Sequence, residues 1–224
     1  MRNFKIIRQL PVLIIAGGIS RRMGNKNKLF LKIGNNYMVN IVVKKFHILG
    51  FRKIYIVLGY QSQKVKKILN KKYVKILINK SFNLGQSSSI KYGLSKIDRT
   101  ESNILIALSD MPFFSADLIL NLVDRHFSIS KYKNVITLPK FKDSYRNPVI
   151  WNNVFFSELK NLEGDRGGKS IIYKNLNAIN VVEWSSENEL MDIDKKKDLL
   201  LLKKRFNSNL NSKYFFFTKI SVRL

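Results

Sequence analysis

The sequence predicts an α/β protein with a mostly parallel central sheet. Apolar runs with the length and β-branched content of buried strands, such as VLIIA at 12–16 and NILIAL at 103–108, alternate with segments of helical apolar spacing. This alternation is typical of βαβ units, because parallel strands need a long crossover between them. Ligands of such sheets bind beyond the carboxyl ends of the strands. We therefore expect the loops after Ile15, Leu58, Ile78 and Leu108 to share one rim.

The predicted elements follow one another along the chain. Gly50 stands at a C-cap position after the first predicted helix, and Ser115 can cap a later one. Strands are predicted at 12–16, 53–58, 73–78, 103–108, 134–138 and 179–183, with an extended, hairpin-like passage at 141–151. Helices are predicted at 37–49, 63–69, 115–125, 154–162, 170–173 and 195–205, and one further helix ends at 94.

Composition narrows the class of protein and of metal site. The chain of 224 residues has no cysteine and two histidines, which excludes disulfides, cysteine-ligated zinc and iron–sulfur clusters. A metal is therefore expected to be a hard ion held by carboxylates and phosphates, which indicates Mg²⁺. Apolar runs stay well below the ~18 residues of a membrane span, and the N-terminus lacks a signal-peptide cleavage region, so we expect a cytoplasmic protein without a membrane partner.

The net charge of +26 first suggests a nucleic-acid-binding protein, which stays the non-enzymatic alternative. The lysines are, however, spread over every segment, and asparagine and isoleucine are abundant as well. This joint excess is typical of drift in an AT-rich genome. Most of the charge is therefore interpreted as solvated surface that attracts anionic substrates, and no nucleic-acid partner is expected.

The first loop, AGGISRRMGNKNK after the strand at 12–16, predicts an anion site. Gly17 and Gly18 permit close backbone approach, so consecutive N–H groups can face an anion or a base edge. Arg22, Lys26 and Lys28 add cationic donors. Five residues separate Gly18 from the next glycine, and no Lys-Ser/Thr pair follows it, so the segment is not a P-loop; GxGxxG is absent too.

Other polar segments follow predicted strands or open predicted helices. Residues 79–90, NKSFNLGQSSSI, place three serines after a glycine at a helix start, where they can bind a ligand or simply cap the helix. Asp110 directly follows the most apolar strand, so its carboxylate is expected to point into the ligand crevice, with a turn or cap as the alternative. The same alternative holds for GDRGGK at 164–169 and for Asp194.

Five ordered motifs together resemble the molybdenum-cofactor nucleotidyltransferases, within the MobA-like NTP transferases. The first is a (L)A(A/G)GxSxRMGxxNK pattern, matched at nine positions from Ala16 to Lys28; the others are GQSSSI, DMP, GDRGGK and MDIDKKKDL. The resemblance implies a Rossmann-like three-layer sandwich of the nucleotide-diphospho-sugar transferase type. It ends near residue 205. We therefore expect one domain at 1–205 and a C-terminal tail of unknown role at 206–224.

The resemblance also implies a reaction and a set of site residues. A nucleoside monophosphate would pass from a nucleoside triphosphate to the terminal phosphate of molybdopterin or molybdenum cofactor, with Mg²⁺ bound and pyrophosphate released. Asp110 and Asp194 would hold the metal, with Asp192 as an alternative to Asp194. The catalytic residues would be Arg22, Lys28 and Asp110. Nucleotide binding is expected at Ala16, Gly17, Gly18, Ser20, Arg22, Lys28, Asn79, Ser89 and Asp110, and acceptor binding at Asn147, Asp165 and Lys169.

Two departures from the family pattern leave alternatives open. Ala16-Gly17-Gly18 resembles the guanylyl enzymes, whereas GQSSSI, NPVIW and GDRGGK resemble the cytidylyl enzymes; we favour CTP, with GTP as the alternative. Arg146 precedes Asn147-Pro148 where the family usually has glycine, so another small phosphorylated acceptor is a second alternative. An apo molybdenum enzyme that receives the product is a further partner hypothesis.

Overall fold

The computed structural model describes residues 2–19, 27–130, 133–195, 198 and 200, which form an α/β sandwich around one large sheet. The strands are β1 Val12–Ala16, β2 Lys32–Ile33, β3 Asn36–Tyr37, β4 Ile54–Leu58, β5 Lys75–Ile78, β6 Asn103–Leu108, β7 Ile136–Phe141, β8 Ser144–Tyr145, β9 Val149–Asn152 and β10 Ile179–Glu183. The α-helices are α1 Arg2–Gln9, α2 Met38–Ile48, α3 Ser62–Ile68, α4 Gln86–Leu94, α5 Ala116–Ile129, α6 Phe156–Lys160 and α7 Lys169–Lys174.

The large sheet is mostly parallel, as the sequence predicts. Its order is β10-β7-β9-β6-β1-β4-β5, and β8 pairs with β7. β1 lies between β4 and β6 and is parallel to both, whereas β9 is antiparallel to its neighbours β6 and β7. β2 and β3 form a separate two-stranded ribbon. The carboxyl ends of β1, β4, β5 and β6 therefore meet at one rim.

Apolar side chains on both faces of the sheet explain the three layers. All five residues of β1 are buried, because alternate positions serve two different cores. Ile14 belongs to the core that packs against α2 and α5, and Leu13 to the core that packs against α4, α6 and α7. The fold class expected from the motifs is confirmed. Among the helices in the described ranges, none is both long and apolar enough to cross a membrane.

Several element boundaries differ from the prediction for local reasons. The strand expected at 73–78 begins at Lys75, because Asn70 caps a 3₁₀ turn at Lys71–Tyr73. The strand expected at 134–138 is Ile136–Phe141, and the helix expected at 115–125 continues to Ile129. The helix expected at 154–162 is a 3₁₀ turn, Asn153–Phe155, followed by the short α6.

At both ends of the chain, the structure and the sequence prediction do not cover the same elements. Helix α1 was not predicted; Ile7 in it and Leu10 just after it are buried in the core. The helix predicted at 195–205 falls mostly outside the described residues, and the predicted tail at 206–224 falls entirely outside them. The domain boundary near residue 205 therefore stays a prediction.

A buried histidine of α5, His126, is hydrogen-bonded to the strands β6 and β7. The His126 side chain is fully buried, with Nε2 2.8 Å from Asn103 Oδ1 and Nδ1 2.9 Å from Thr137 Oγ1. Because the amide oxygen can only accept, Nε2–H donates to it and the Thr137 hydroxyl donates to Nδ1. This arrangement requires a neutral ring, and burial lowers the pKa of His126 to about 4.

We predict that the protein loses stability as the pH falls from 6.5 to 4. The folded state keeps His126 neutral, whereas an unfolded histidine binds a proton near pH 6.5, so protons favour unfolding across this window. The loss attributable to this residue should reach about 3 kcal/mol at the acid end. Urea unfolding of wild type and His126→Gln at pH 7.5 and 4.5 measures it, and the pH-dependent loss should be smaller in the variant.

The matched control is His47→Gln, which removes the other, more exposed histidine. The pKa of His47 is also lowered, by partial burial and by Arg52 and Lys72, so this variant should reduce the pH-dependent loss, but less than His126→Gln does. An equal pH-dependent loss in His126→Gln and wild type would contradict the assignment.

Candidate active site

A cleft of about 450 Å³ opens at the carboxyl ends of β1 and β6, on the predicted rim. Its wall contains the end of β1 with Gly17 and Gly18, the segment around Phe82–Gln86, and the end of β6 through Asp110. The loop after β4 lies against the first loop, where the Tyr60 N–H donates to the Gly17 carbonyl at 3.3 Å. The four loops expected to share one rim therefore do so.

Close packing requires glycine at two points of this rim. A Cβ atom on Gly17 would lie 2.5 Å from Ser89 Oγ, and one on Gly59 would lie 2.6 Å from the Gly17 carbonyl oxygen. Both distances are shorter than side chains tolerate. In contrast, a Cβ on Gly18 would meet nothing within 4 Å. Gly17 thus brings the first loop onto the serine-rich loop, and Gly59 supports it from the other side.

Asn79 holds the serine-rich loop in place. Its side-chain N–H groups donate to Ser88 Oγ at 2.9 Å and Ser89 Oγ at 3.3 Å, and its amide oxygen accepts from the Ser81 N–H at 2.9 Å. The Ser88 hydroxyl in turn donates to the Gly85 carbonyl at 2.8 Å. Both side chains are buried, but Ser89 is among the residues that line the cleft and Asn79 is not. Asn79 is therefore placed to position Ser89 rather than to face a ligand.

Three carboxylates and a lysine form the floor of the cleft. One oxygen from each of Asp110, Asp192 and Asp194 lies within 4.8 Å of the other two. Lys28 Nζ forms an ion pair with Asp110 Oδ2 and lies 3.1 Å from Asp194 Oδ1. The other oxygen, Asp110 Oδ1, is buried and has no hydrogen-bond partner among the described residues. A buried carboxylate oxygen without a donor, beside two further carboxylates, fits a hard divalent cation.

Backbone and cap hydrogen bonds hold this cluster together. The Ile193 N–H donates to the Asp110 carbonyl at 2.9 Å, which fixes the 192–194 segment against the end of β6. Asp198 accepts from the backbone N–H groups of Asp194 at 3.1 Å and Lys195 at 2.7 Å, as a residue that caps a helix start does. These bonds fix the backbone at Asp194 and leave its carboxylate in the cluster, and the expected helix cap at Asp194 stays a prediction.

Lys28 is held by the turn in which it lies. Asn27 Oδ1 accepts from the Leu29 N–H at 3.0 Å and opens the short 3₁₀ turn Lys28–Phe30. The Asn27 amide also donates to the Tyr60 carbonyl at 3.3 Å. The asparagine of the first motif thus ties the lysine to the loop after β4.

The electrostatics of the cluster favour a bound cation. Burial raises the pKa of Asp110, which the ammonium of Lys28 partly offsets. Burial works to lower the pKa of Lys28, but Asp110 and Asp194 outweigh it, so that the net shift is upward. Lys28 is therefore an ammonium ion that compensates carboxylates taken out of water.

The predicted site residues are only partly brought together. Most of the predicted site residues that the structure describes line the cleft: Ala16, Gly17, Gly18, Lys28, Ser89, Asp110, Asp165 and Asp194. The alternative metal ligand Asp192 lines it as well. Asn147 and Lys169 are not among its lining residues; Lys169 Nζ lies over the Tyr173 ring, 5.8 Å from its centre. Ser20 and Arg22 fall outside the described residues, so their roles stay predictions.

Some residues of the site were missed by the sequence interpretation. Phe82 and Gln86 line the cleft, and Gly59 supports the first loop. Gly59 directly follows the carboxyl end of a predicted strand, which is a signal that could have identified it. Gln86 lies inside the serine motif but was not selected. The role of Phe82 depends on how the loop folds, which no sequence pattern indicates.

The segment at 164–169 reaches the cleft by packing against the serine-rich loop. Gly85 has φ +91°, and a Cβ there would collide with the backbone of Gly164. The Ser87 N–H donates to the Gly164 carbonyl at 3.1 Å. This contact brings Asp165 to the cleft wall. A motif far along the sequence therefore reaches the same cleft as the first loop.

The fold and the cleft define a class of α/β proteins with a ligand site at the carboxyl ends of a parallel sheet. Residues 12–179 match the model of the MobA-like NTP transferase domain. Because this match covers most of the chain, the protein belongs to the MobA-like NTP transferase family, which is a family of nucleotidyltransferases.

Curated relatives are similar to this chain at low identity. The chain is 28% identical over 129 residues to the bifunctional protein GlmU of Thermosipho melanesiensis. This alignment covers 57% of this chain and 28% of that protein. The chain thus spans about a quarter of the length of this relative. It is 23% identical over 186 residues to nicotine blue oxidoreductase of Paenarthrobacter nicotinovorans, covering 81% of this chain and 90% of that protein.

Solved structures share the fold. A homologue of Mycobacterium tuberculosis Rv0371c from Mycobacterium sp. strain JC1 superimposes with a TM-score of 0.75 at 19% identity, covering 90% and 98% of the two chains. Rv0371c of M. tuberculosis in complex with manganese superimposes with a TM-score of 0.72 at 16% identity, covering 88% of this chain and 98% of that chain. Molybdopterin-guanine dinucleotide biosynthesis protein A of Archaeoglobus fulgidus superimposes with a TM-score of 0.62 at 17% identity, covering 89% of this chain and 100% of that chain. At these identities the likeness shows the fold alone.

We predict that alanine at position 17 destabilises the protein and that removing the Ser89 hydroxyl reverses the effect. Gly17→Ala should cost about 1 to 3 kcal/mol, because its Cβ has to displace Ser89 Oγ from 2.5 Å. Unfolding by urea measures Gly17→Ala, Ser89→Ala and the double variant. The coupling in this cycle should be about 1 kcal/mol and favourable to the double variant.

Gly18→Ala is the matched control, because its Cβ meets no atom within 4 Å. It should stay within about 0.5 kcal/mol of wild type. Additive costs of Gly17→Ala and Ser89→Ala would show that the two positions do not constrain each other.

Proposed function

We propose that this protein transfers CMP from CTP to the terminal phosphate of molybdopterin or molybdenum cofactor, with Mg²⁺ bound and pyrophosphate released. The observation that carries the proposal is one cleft that combines the close-packed glycine loop with Lys28 and the carboxylate pair Asp110 and Asp194. This combination suits a reaction in which two anions must approach each other. A cytoplasmic location is part of the same proposal.

The nucleotide is proposed to lie along the first loop. The backbone of Gly17 and Gly18, with Ser89 opposite, offers N–H and hydroxyl groups to a base and ribose. Arg22 and Lys28 neutralise the triphosphate, and Ser20 lies in the same loop. Asn79 acts one step away by fixing the Ser89 hydroxyl.

Asp110 and Asp194 are proposed to hold a divalent ion, with Asp192 as a further ligand or as the alternative to Asp194. A bound Mg²⁺ would withdraw charge from phosphoryl oxygens. The unpartnered Asp110 Oδ1 and the oxygen-only donor set support the assignment. A manganese complex among proteins of the same fold is consistent with a divalent ion here.

Lys28 changes partners in this proposal. Its ammonium group now lies between Asp110 and Asp194, where it provides the positive charge that both carboxylates need. A divalent ion on the same carboxylates would repel it, and the triphosphate would supply new anionic partners. The ion and the nucleotide should therefore bind cooperatively, because each makes the rearrangement of Lys28 less costly.

The chemistry needs little proton transfer. An oxygen of the acceptor phosphate forms a bond to the α-phosphorus, the bond between the α-phosphorus and the α–β bridging oxygen breaks, and pyrophosphate leaves with the electron pair. The acceptor phosphate is already ionised near neutral pH, so no general base is required. Positioning and charge neutralisation are the contributions expected of the chain.

Base choice is the finer part of the proposal. Three segments similar to the cytidylyl enzymes, GQSSSI, NPVIW and GDRGGK, support CTP. GTP is the second candidate, because Ala16-Gly17-Gly18 resembles the guanylyl loop and Ser89 Oγ leaves no room for a Cβ at position 17. Another small phosphorylated acceptor is the alternative to molybdopterin. An apo molybdenum enzyme that receives the product directly is a further proposed partner.

We predict turnover with CTP that is lost in Asp110→Ala. Pyrophosphate release is measured with Mg²⁺ and molybdenum-loaded molybdopterin, with CTP, GTP, ATP and UTP compared side by side. Removing Asp110 should lower kcat by a factor of about 100 or more, because the site loses its buried cation ligand.

Asp124→Ala, an exposed carboxylate on α5, should keep wild-type turnover. Turnover with GTP would transfer the proposal to the guanylyl branch. Binding of a nucleotide and Mg²⁺ without transfer to molybdopterin would refute the proposed acceptor.

We predict that Lys28→Met tightens divalent-ion binding without nucleotide and weakens nucleotide binding. The neutral side chain no longer competes for Asp110 and Asp194, but the triphosphate loses a cation. Each effect should be about tenfold, as expected for a charge pair in a partly buried site. Free Mn²⁺ is measured by electron paramagnetic resonance at pH 8, with and without CTP.

Lys32→Met, which removes an exposed lysine nearby in the sequence, controls for the general loss of charge. It should leave both affinities near wild type. Weaker Mn²⁺ binding in Lys28→Met than in wild type would show that the lysine does not compete with the ion.

A further inference from the structure

Arg146 has a partly buried guanidinium group for which the described part of the chain provides no counter-charge. Its Nε atom is buried without a hydrogen-bond partner, and none of the ion pairs between described residues includes it. Its backbone N–H is satisfied by the Pro139 carbonyl at 2.9 Å. A guanidinium is charged at all accessible pH values, and a buried N–H without an acceptor is costly. Within the described residues the Nε–H group of Arg146 therefore has no acceptor, and an anionic ligand would supply one.

The strand register places Arg146 at the rim that carries the cleft. β9 is antiparallel to β6, and Val149 lies opposite Ile106. Past this pair β6 continues to Leu108 and Asp110, which line the cleft, whereas the chain before β9 runs back to Arg146. Arg146 thus lies at the carboxyl end of β6, on the β9 side.

This side of the cleft lies away from the proposed nucleotide site. The first loop and the serine-rich loop follow β1 and β5, and the sheet order places β9 on the other side of β6. Arg146 is not among the residues that line the cleft, so it would meet the part of a second substrate that extends beyond the cleft on the β9 side. The neighbouring cation Lys140 is already compensated, because its Nζ lies 3.5 Å from Glu183 Oε1.

We propose that Arg146 binds the phosphomonoester group of the acceptor and selects acceptors that carry one. The inference rests on the proposed function, because it assigns the acceptor side of the same cleft. A guanidinium matches a phosphate with two parallel hydrogen bonds, and it offsets the repulsion between this phosphate and the triphosphate.

The direct test measures phosphate binding without turnover. The full-length protein is loaded with Mg²⁺ and α,β-methylene-CTP, which occupies the nucleotide site, and inorganic phosphate is titrated by calorimetry. Arg146→Gln should weaken phosphate binding about tenfold or more, and Arg146→Lys should weaken it less, because it keeps the charge but loses the paired geometry. Lys142→Gln removes an exposed cation from the same hairpin and should leave the affinity unchanged.

Two outcomes overturn the inference. Equal phosphate affinity in wild type and Arg146→Gln would show that Arg146 does not bind the probe. An equal loss in Lys142→Gln would show that the surface charge as a whole attracts phosphate. Thermal unfolding checks that each variant is folded.

A steady-state experiment separates this inference from the proposed function. In the transfer assay, Arg146→Gln should raise KM for the acceptor about tenfold and leave KM for CTP unchanged. Transfer with an unchanged acceptor KM would refute the role of Arg146 but keep the proposed reaction. Phosphate binding that depends on Arg146, without transfer by any nucleotide, would keep the role of Arg146 and refute the reaction.

Discussion

The ion pairs of Lys28 with Asp110 and Asp194 connect three distant parts of the chain. They join the turn after the first loop, the end of β6 and the segment at 192–194. Removing such charges from water is expensive unless each one has a partner, so these residues have to be brought together as a group. The Ile193 N–H bond to Asp110 and the Asp198 cap provide that geometry from the backbone. The cleft therefore depends on a charge arrangement as much as on the sheet.

The sequence predicts this site because its residues directly follow elements that are themselves easy to recognise. β1 and β6 are continuous apolar runs, and the ends of parallel neighbours meet, so Gly17 and Asp110 follow from the pattern alone. β9 is less predictable, because VIWN is short and its antiparallel place between β6 and β7 depends on tertiary pairing. Helix α1 escaped prediction because only a few of its residues, such as Ile7, are buried.

Residue types alone could not assign roles within the site. Asn79 was expected to bind nucleotide, yet its amide is used up in fixing Ser88 and Ser89 behind the cleft wall. The choice between Asp192 and Asp194 had no solution in the sequence, because both flank Ile193 and both place an oxygen in the cluster. Hydrogen bonds and burial show the contacts of these side chains, which spacing does not encode, and their nucleotide and metal roles stay predictions.

Among the described residues, those that line the cleft carry more negative than positive charge, unlike the chain as a whole. The chain carries a net charge of +26. The described residues that line the cleft include four aspartates, Asp110, Asp165, Asp192 and Asp194, and one lysine, Lys28. The surface field attracts polyanions, whereas the cleft repels them until a cation has neutralised its carboxylates. A nucleic-acid-binding surface would need no such acidic floor. Under the proposed function, this arrangement suits a small polyanion that arrives with a divalent ion, because the ion offsets the carboxylates that the basic surface leaves uncompensated.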